Sequence, residues 1–396
     1  MKYKLKKNFS LCAVALGVVV IFTAVTPALN VYAVSPTFAR SDEEWATLAD
    51  NHMDYAELEG LVEEYNATVQ QNQINYIKFK SDYGRTNSEV SDSYRDIADD
   101  LIDAIDYPDT DDSDYASRMI TILSNESTAK RLRSTADDNL EDSDIIYMNY
   151  ELAEKTLVEI AQNNMISYHS GVLDIQKAQN DIKLMELNVN AEQAKLSVGT
   201  ATQVDVLNAQ ESYTNAQQAQ AKAESALENT KQKLCIMLGW SYDANPEIGD
   251  IPEPDMTRID AMNPTIDKEA ALANNYTLNV NKKKLANASA KSQQDTMNST
   301  IADNESKIAS SLVYAYNNVT AAKNSYIYAQ SVAELQNTNL ATAAQQYGLG
   351  TLSKLNYDQQ QYTTQSANIV FKQASFTLFE AMESYDWAVA GLATAS

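Results

Sequence analysis

The sequence predicts an all-α protein built from two tandem, long antiparallel coiled-coil hairpins, with no segment suited to a strand of a membrane β-barrel. Three observations carry this. Helix breakers are scarce, with Gly 10 and Pro 7 in 396 residues, well below ordinary usage. Long Ala-, Gln-, Asn- and Ser-rich segments run without interruption. The chain is also duplicated: Ala191–Gly239 recurs as Ala343–Gly391, and within them Val198-Gly199-Thr200 falls on Leu349-Gly350-Thr351, Val204 on Leu355, Ala216 on Ala367, Ala223 on Ala374 and Leu227 on Leu378, each of these matches at an offset of 151.

Lys2, Lys4, Lys6 and Lys7 precede an apolar run from Phe9 to Leu29, and Val31-Tyr32-Ala33 gives it a small-residue end. That is the pattern of a secretory signal peptide over residues 1–33, with a retained anchor as the alternative. From Ser41, Asp42-Glu43-Glu44 supplies an acidic first turn. Leu48, Met53, Leu58, Leu61, Val62, Tyr65, Val69 and Ile74 then predict helix to about Lys80. The alternating Ile74–Phe79 also fits a short strand, but nothing of similar character stands nearby to pair with it.

Leu61, Tyr65, Val69 and Ile74 match Leu272, Tyr276, Val280 and Leu285 at an offset of 211, whereas the glycine turns match at 151. The first half therefore holds about sixty extra residues, and Arg85–Asp144 fills that length. This insert has seventeen Asp or Glu against six Lys or Arg. Its Asp109–Asp114 run lacks the glycine and the closing glutamate of a calcium loop, which makes it a solvated acidic loop, and no metal site is expected.

Ile145–Leu196 reads as one helix, about 78 Å long at the usual rise. Val172, Ile175, Gln179, Ile182, Glu186, Val189, Gln193 and Leu196 step along it by three and four, a coiled-coil seam with polar gaps. Gly199 ends that helix and Val204–Leu238 runs back; Gly350 does the same in the second half, because glycine enters the left-handed region at a helix end without a Cβ clash. Thr200-Ala201-Thr202 and Thr351-Leu352-Ser353 offer hydroxyls to cap the returning helices. Trp240–Pro264 gathers four of the seven prolines and separates the repeats. The divisions are 34–240, with the insert at 85–144, then a linker at 241–264 and a second repeat at 265–396. In that repeat a helix is expected from Ile266 to about Asp295, then a connector or continuous helix over Thr296–Asn304, and a long helix to Tyr347.

The formal net charge is −24, which disfavours a nucleic-acid partner. Cys235 is alone outside the leader, so packing and not disulfides must stabilise the chain. His52 and His169 have no second ligand type at metal spacing and read as surface or helix-face residues. The three Trp and twenty-three Tyr read as seam packing. No nucleophile elbow, phosphate loop, dinucleotide fingerprint or paired zinc histidines occur, so no enzyme, catalytic residue or cofactor is predicted.

The leader, the two hairpins and the turns, with KLSVGTATQVDVLNAQESYTNAQ at the first and Ala273-Asn274-Asn275-Tyr276 opening the second repeat, resemble the TolC-type outer-membrane efflux protein family over most of residues 41–391. The resemblance implies a homotrimer whose hairpins close into a twelve-helix tube for efflux or secretion. It implies a membrane-fusion-type adaptor at the tips, joined to an ABC-type or other inner-membrane pump. Val198, Gly199, Thr200, Leu349, Gly350 and Thr351 would be the adaptor contacts, and the cell envelope the location. The family places two strands per repeat between the opening helix and the long hairpin. None is evident in 84–144 or 291–304, where an acidic insert and a short connector stand instead. A conduit or docking tube without a barrel is expected; the alternative is an exported coiled-coil spacer or adhesion protein.

Overall fold

The structure is a computed structural model and describes residues 40–395; the leader expected at 1–33 lies outside the described residues. Ser41 accepts the amide of Glu44 and Glu44 caps Ser41 in return, which starts α1 (Asp42–Leu48). A two-residue strand β1 (His52–Met53) and a 3₁₀ turn follow, then α2 (Leu58–Tyr65) and α3 (Ala67–Tyr83). The single helix expected from Ser41 to Lys80 is thus broken twice. The second break has a specific cause: Asn66 is extended, its side-chain carbonyl accepts the amides of Thr68 and Val69, and its side-chain amide donates to the carbonyl of Met237 at 2.8 Å. Ile74–Phe79 lies inside α3 and is helical, not a strand.

The insert forms α4 (Asn87–Asp103) and α5 (Tyr115–Asp137), two antiparallel helices joined by the acidic loop. Val90, Ala98, Ile122, Ala129 and Ala136 are its buried apolar residues, and the alanines allow a close approach. Its ends meet where Ser143 donates to Arg85 at 3.0 Å and Asn87 donates to the carbonyls of Asn139 and Glu141.

The long helices are α6 (Ser143–Ser197) and α7 (Gln203–Met237) in the first repeat. On the seam expected in α6, Val172, Ile175, Ile182, Val189 and Leu196 are covered at least in part, and Gln179, Glu186 and Gln193 are exposed. The polar gaps are where the seam drifts off the contact. Facing it, Val206, Ala209, Tyr213, Ala216, Gln220, Ala223, Leu227, Thr230 and Leu234 step by three and four along α7, and none is exposed. Gly171 lets Leu227 approach; a Cβ there would lie 3.1 Å from it.

After α7 come β2 (Glu247–Ile248) and α8 (Met256–Ala261). β2 pairs in parallel with β1, His52 opposite Glu247 and Met53 opposite Ile248. His52 is therefore on a strand and not a helix face, and these are the only strands among the described residues. The second repeat opens with α9 (Pro264–Asn274) and α10 (Tyr276–Asn287), then α11 (Lys291–Gly348) and α12 (Lys354–Trp387). The helix expected from Ile266 to Asp295 is broken at Asn275 and at 288–290, and Thr296–Asn304 continues α11 with no connector.

Asn275 repeats the part played by Asn66: it caps α10 through Leu278 and donates to the carbonyls of Gly391 and Ala393. The Asn pair sits two residues out of the register that the apolar matches suggested. In both repeats a glycine with positive φ closes the contact, Gly239 at 86° and Gly391 at 125°. A Cβ would come within 2.4 Å of Tyr65 in the first and 2.5 Å of the Asn274 carbonyl in the second.

Two apolar cores result, one around Leu58, Leu61, Val158, Met165, Leu234 and Phe379, the other around Leu278, Ile308, Leu312, Leu378, Met382 and Tyr385. Trp387 packs on the first and donates to Gln162 at 2.6 Å. The long helices form a row in the order α7, α6, α12, α11.

Candidate docking tips

The hairpin tips are local products of their sequence. In the first, the Gly199 amide bonds the Leu196 carbonyl at 3.0 Å and the Thr200 amide bonds that of Lys195 at 2.9 Å. In the second, Gly350 bonds Tyr347 at 3.0 Å and Thr351 bonds Gln346 at 2.9 Å. Both are Schellman endings, with glycine at φ 75° and 74°. The Thr200 and Thr351 hydroxyls donate to Lys195 and Gln346 carbonyls, so they close the arriving helices. Capping of the returning helices falls to Thr202 and Ser353, which accept the amides of Asp205 and Asn356. The hydrogen bonds from Thr202 hold the Asp205 carboxyl below its ordinary range.

Each turn leaves an apolar side chain in the open: Val198 is 72% exposed and Leu349 80%. A Cβ at Gly199 or Gly350 would meet nothing within 4 Å. Val204 and Leu207 are also exposed beside the first tip. They are not among the contacts expected from the sequence, although their position off the seam carried by Val206 and Ala209 is a usable signal. Beside the second tip Tyr347 stacks on Tyr357, centroids 5.0 Å apart.

The two tips lie at one end. Asn180 donates to the Tyr362 carbonyl, Gln359 to Asn188, and Gln373 to Asp174, so α6 and α12 run antiparallel in a register that brings Ser197 level with Gly350. Among the described residues no helix is long and apolar enough to cross a membrane, and no group of three or more His, Cys, Asp or Glu could hold a metal ion.

Solved structures share this arrangement. The CmeC outer membrane channel of Campylobacter jejuni matches over 94% of this chain and 95% of its own, with a TM-score of 0.50 and 9% identity. The outer-membrane channel OprN matches over 88% and 92%, with a TM-score of 0.52 and 11% identity. The chain has the fold of these channels. CusC, whose structures concern folding and transmembrane channel formation, matches the channel fold over 90% and 96%, at a TM-score of 0.51 and 9% identity. No protein-family model matches the sequence, and no curated protein matches it. Within the channel fold, the chain places α4 and α5 in its first repeat and only residues 288–290 in its second between the opening helices and the long hairpin.

Proposed function

We propose that this protein is a TolC-type component of an efflux or secretion assembly, exported to the cell envelope, in which copies of the chain, three by the family resemblance, close into a helical conduit. The observation that carries the reading is the row of four long helices with both tips level at one end. Such a row is one layer thick, and at its edges α7 has α6 and α11 has α12 as its one packed neighbour among the long helices. On the α11 edge Tyr314, Tyr328 and Leu335 are exposed at heptad-like intervals, an apolar stripe that another copy would cover. The tips, each an exposed apolar residue on a rigid turn, then form a ring for a membrane-fusion-type adaptor, with Val198, Gly199, Thr200, Leu349, Gly350 and Thr351 as its contacts and an ABC-type or other pump beyond. The conduit conducts and does no chemistry.

The test is the double change Val198→Glu and Leu349→Glu. Both side chains face solvent, so thermal stability and oligomer size should stay as they are, while capture of an adaptor encoded beside this chain is lost. Undiminished capture would reduce the tips to turns and favour the spacer reading.

A further inference from the structure

The insert hairpin has two unlike outer faces. On α4, Glu89, Asp92, Asp96, Asp99, Asp100 and Asp103 recur every three or four residues, all exposed, on the side turned away from buried Ala98. Arg95 holds Asp92 and Arg133 holds Asp99, whereas Asp96, Asp100 and Asp103 have no ion-pair partner among the described residues. On α5, the side turned away from buried Ala129 carries exposed Ile120, Leu123, Lys130 and Arg131, and the acid at its end, Asp137, is held by Arg95. Neither Lys130 nor Arg131 has an ion-pair partner among the described residues. In a segment with seventeen acids against six bases, two basic side chains without an ion pair stand together on one face of α5.

A hairpin that is acidic on one side and basic and apolar on the other complements a copy of itself in head-to-tail fashion, the contact that builds rings. We propose that in the assembled protein α4 of each copy packs against α5 of the next, making a helical collar at the base of the tube. This rests on the multi-copy reading above, and it concerns a surface that reading does not use. The register favours it. Arg133 lies level with Asp99 and Asp137 with Arg95 within one hairpin. A rotation about an axis along the hairpin keeps those levels, so Lys130 and Arg131 of one copy come level with Asp100 and Asp103 of the next. Like faces brought together would oppose acid to acid, which costs energy and excludes back-to-back pairing.

Disulfide trapping in the full chain tests the collar. Asp103→Cys and Lys130→Cys are placed in separate chains, which are purified, mixed, dissociated and reassembled, oxidised mildly, and compared with each variant alone. Both positions are exposed, and native Cys235 is buried and common to every sample. The expected result is a mixed disulfide dimer that neither variant forms alone, lost when Asp100→Lys is added to the first chain. Sedimentation of the same samples separates the two readings. Assembly without the mixed dimer would overturn the collar and leave the conduit standing; strong dimers of either variant alone would overturn it in favour of like-face pairing; monomers without cross-links would overturn both.

Discussion

Glycines with the same backbone sign do different work at the two ends of the hairpins. At Gly199 the left-handed conformation is the sole constraint, since a Cβ would project into open space. Gly199→Ala should cost about 1 kcal/mol. At Gly239 the same conformation is joined by Tyr65, 2.4 Å from where a Cβ would stand, so Gly239→Ala should cost at least about 2 kcal/mol. Thermal melting of the two variants checks the order, and equal shifts would contradict the packing described around Tyr65. His169 offers a pH-dependent counterpart. Its ring hydrogen-bonds the Gly249 carbonyl at 2.8 Å, and burial holds its pKa below the usual 6.5 despite that bond and nearby Asp250. The folded state therefore favours the neutral ring. Stability should be full above about 6.5 and decline as the pH falls through that value, where the unfolded chain takes up the proton first. Melting curves across that range should lose this step in His169→Gln; a step that persists would assign it to another group.

Whether an element could be read in advance depended on how local its causes are. The tips were legible because a Schellman ending is written in six consecutive residues, and the α6–α7 hairpin because the seam of α6 runs through eight positions. The break at Asn66 was hidden, since asparagine is tolerated inside a helix, and what fixes it as a cap is the Met237 carbonyl in a distant part of the chain. β1 and β2 have two residues each, too few for alternation to show. The pairing of the insert's two helices depends on alanines whose small size signals nothing until a partner helix is opposite. Because Arg85 and Ser143 are already bonded, the hairpin should be removable. Replacing residues 88–138 by a short Gly-Ser turn should remove about 40 residues of helix, in keeping with the lengths of α4 and α5, and leave the melting of the rest nearly unchanged. Circular dichroism that collapses beyond that loss would show the hairpin to be part of the core, with the Asn287 and Lys284 contacts to its base as the reason.

At the scale of the molecule, one chain supplies a strip and not a tube. The strip has a direction set by its tips, a first core in which Phe376 and Phe379 of α12 bind the second repeat to the first, and an acidic hairpin on the chain between the first opening helix and α6. Its edges are what a second copy must meet, and the exposed Tyr314, Tyr328 and Leu335 put apolar surface on one of them. Solved structures that share its fold are outer membrane channels. Whether copies of this chain close into a tube is read most directly by electron microscopy of the purified protein without residues 1–33. The account predicts closed rings in end view and, in side view, cylinders whose hairpin tips all lie at one end. Single strips, or pairs joined with their tips pointing in opposite directions, would contradict it.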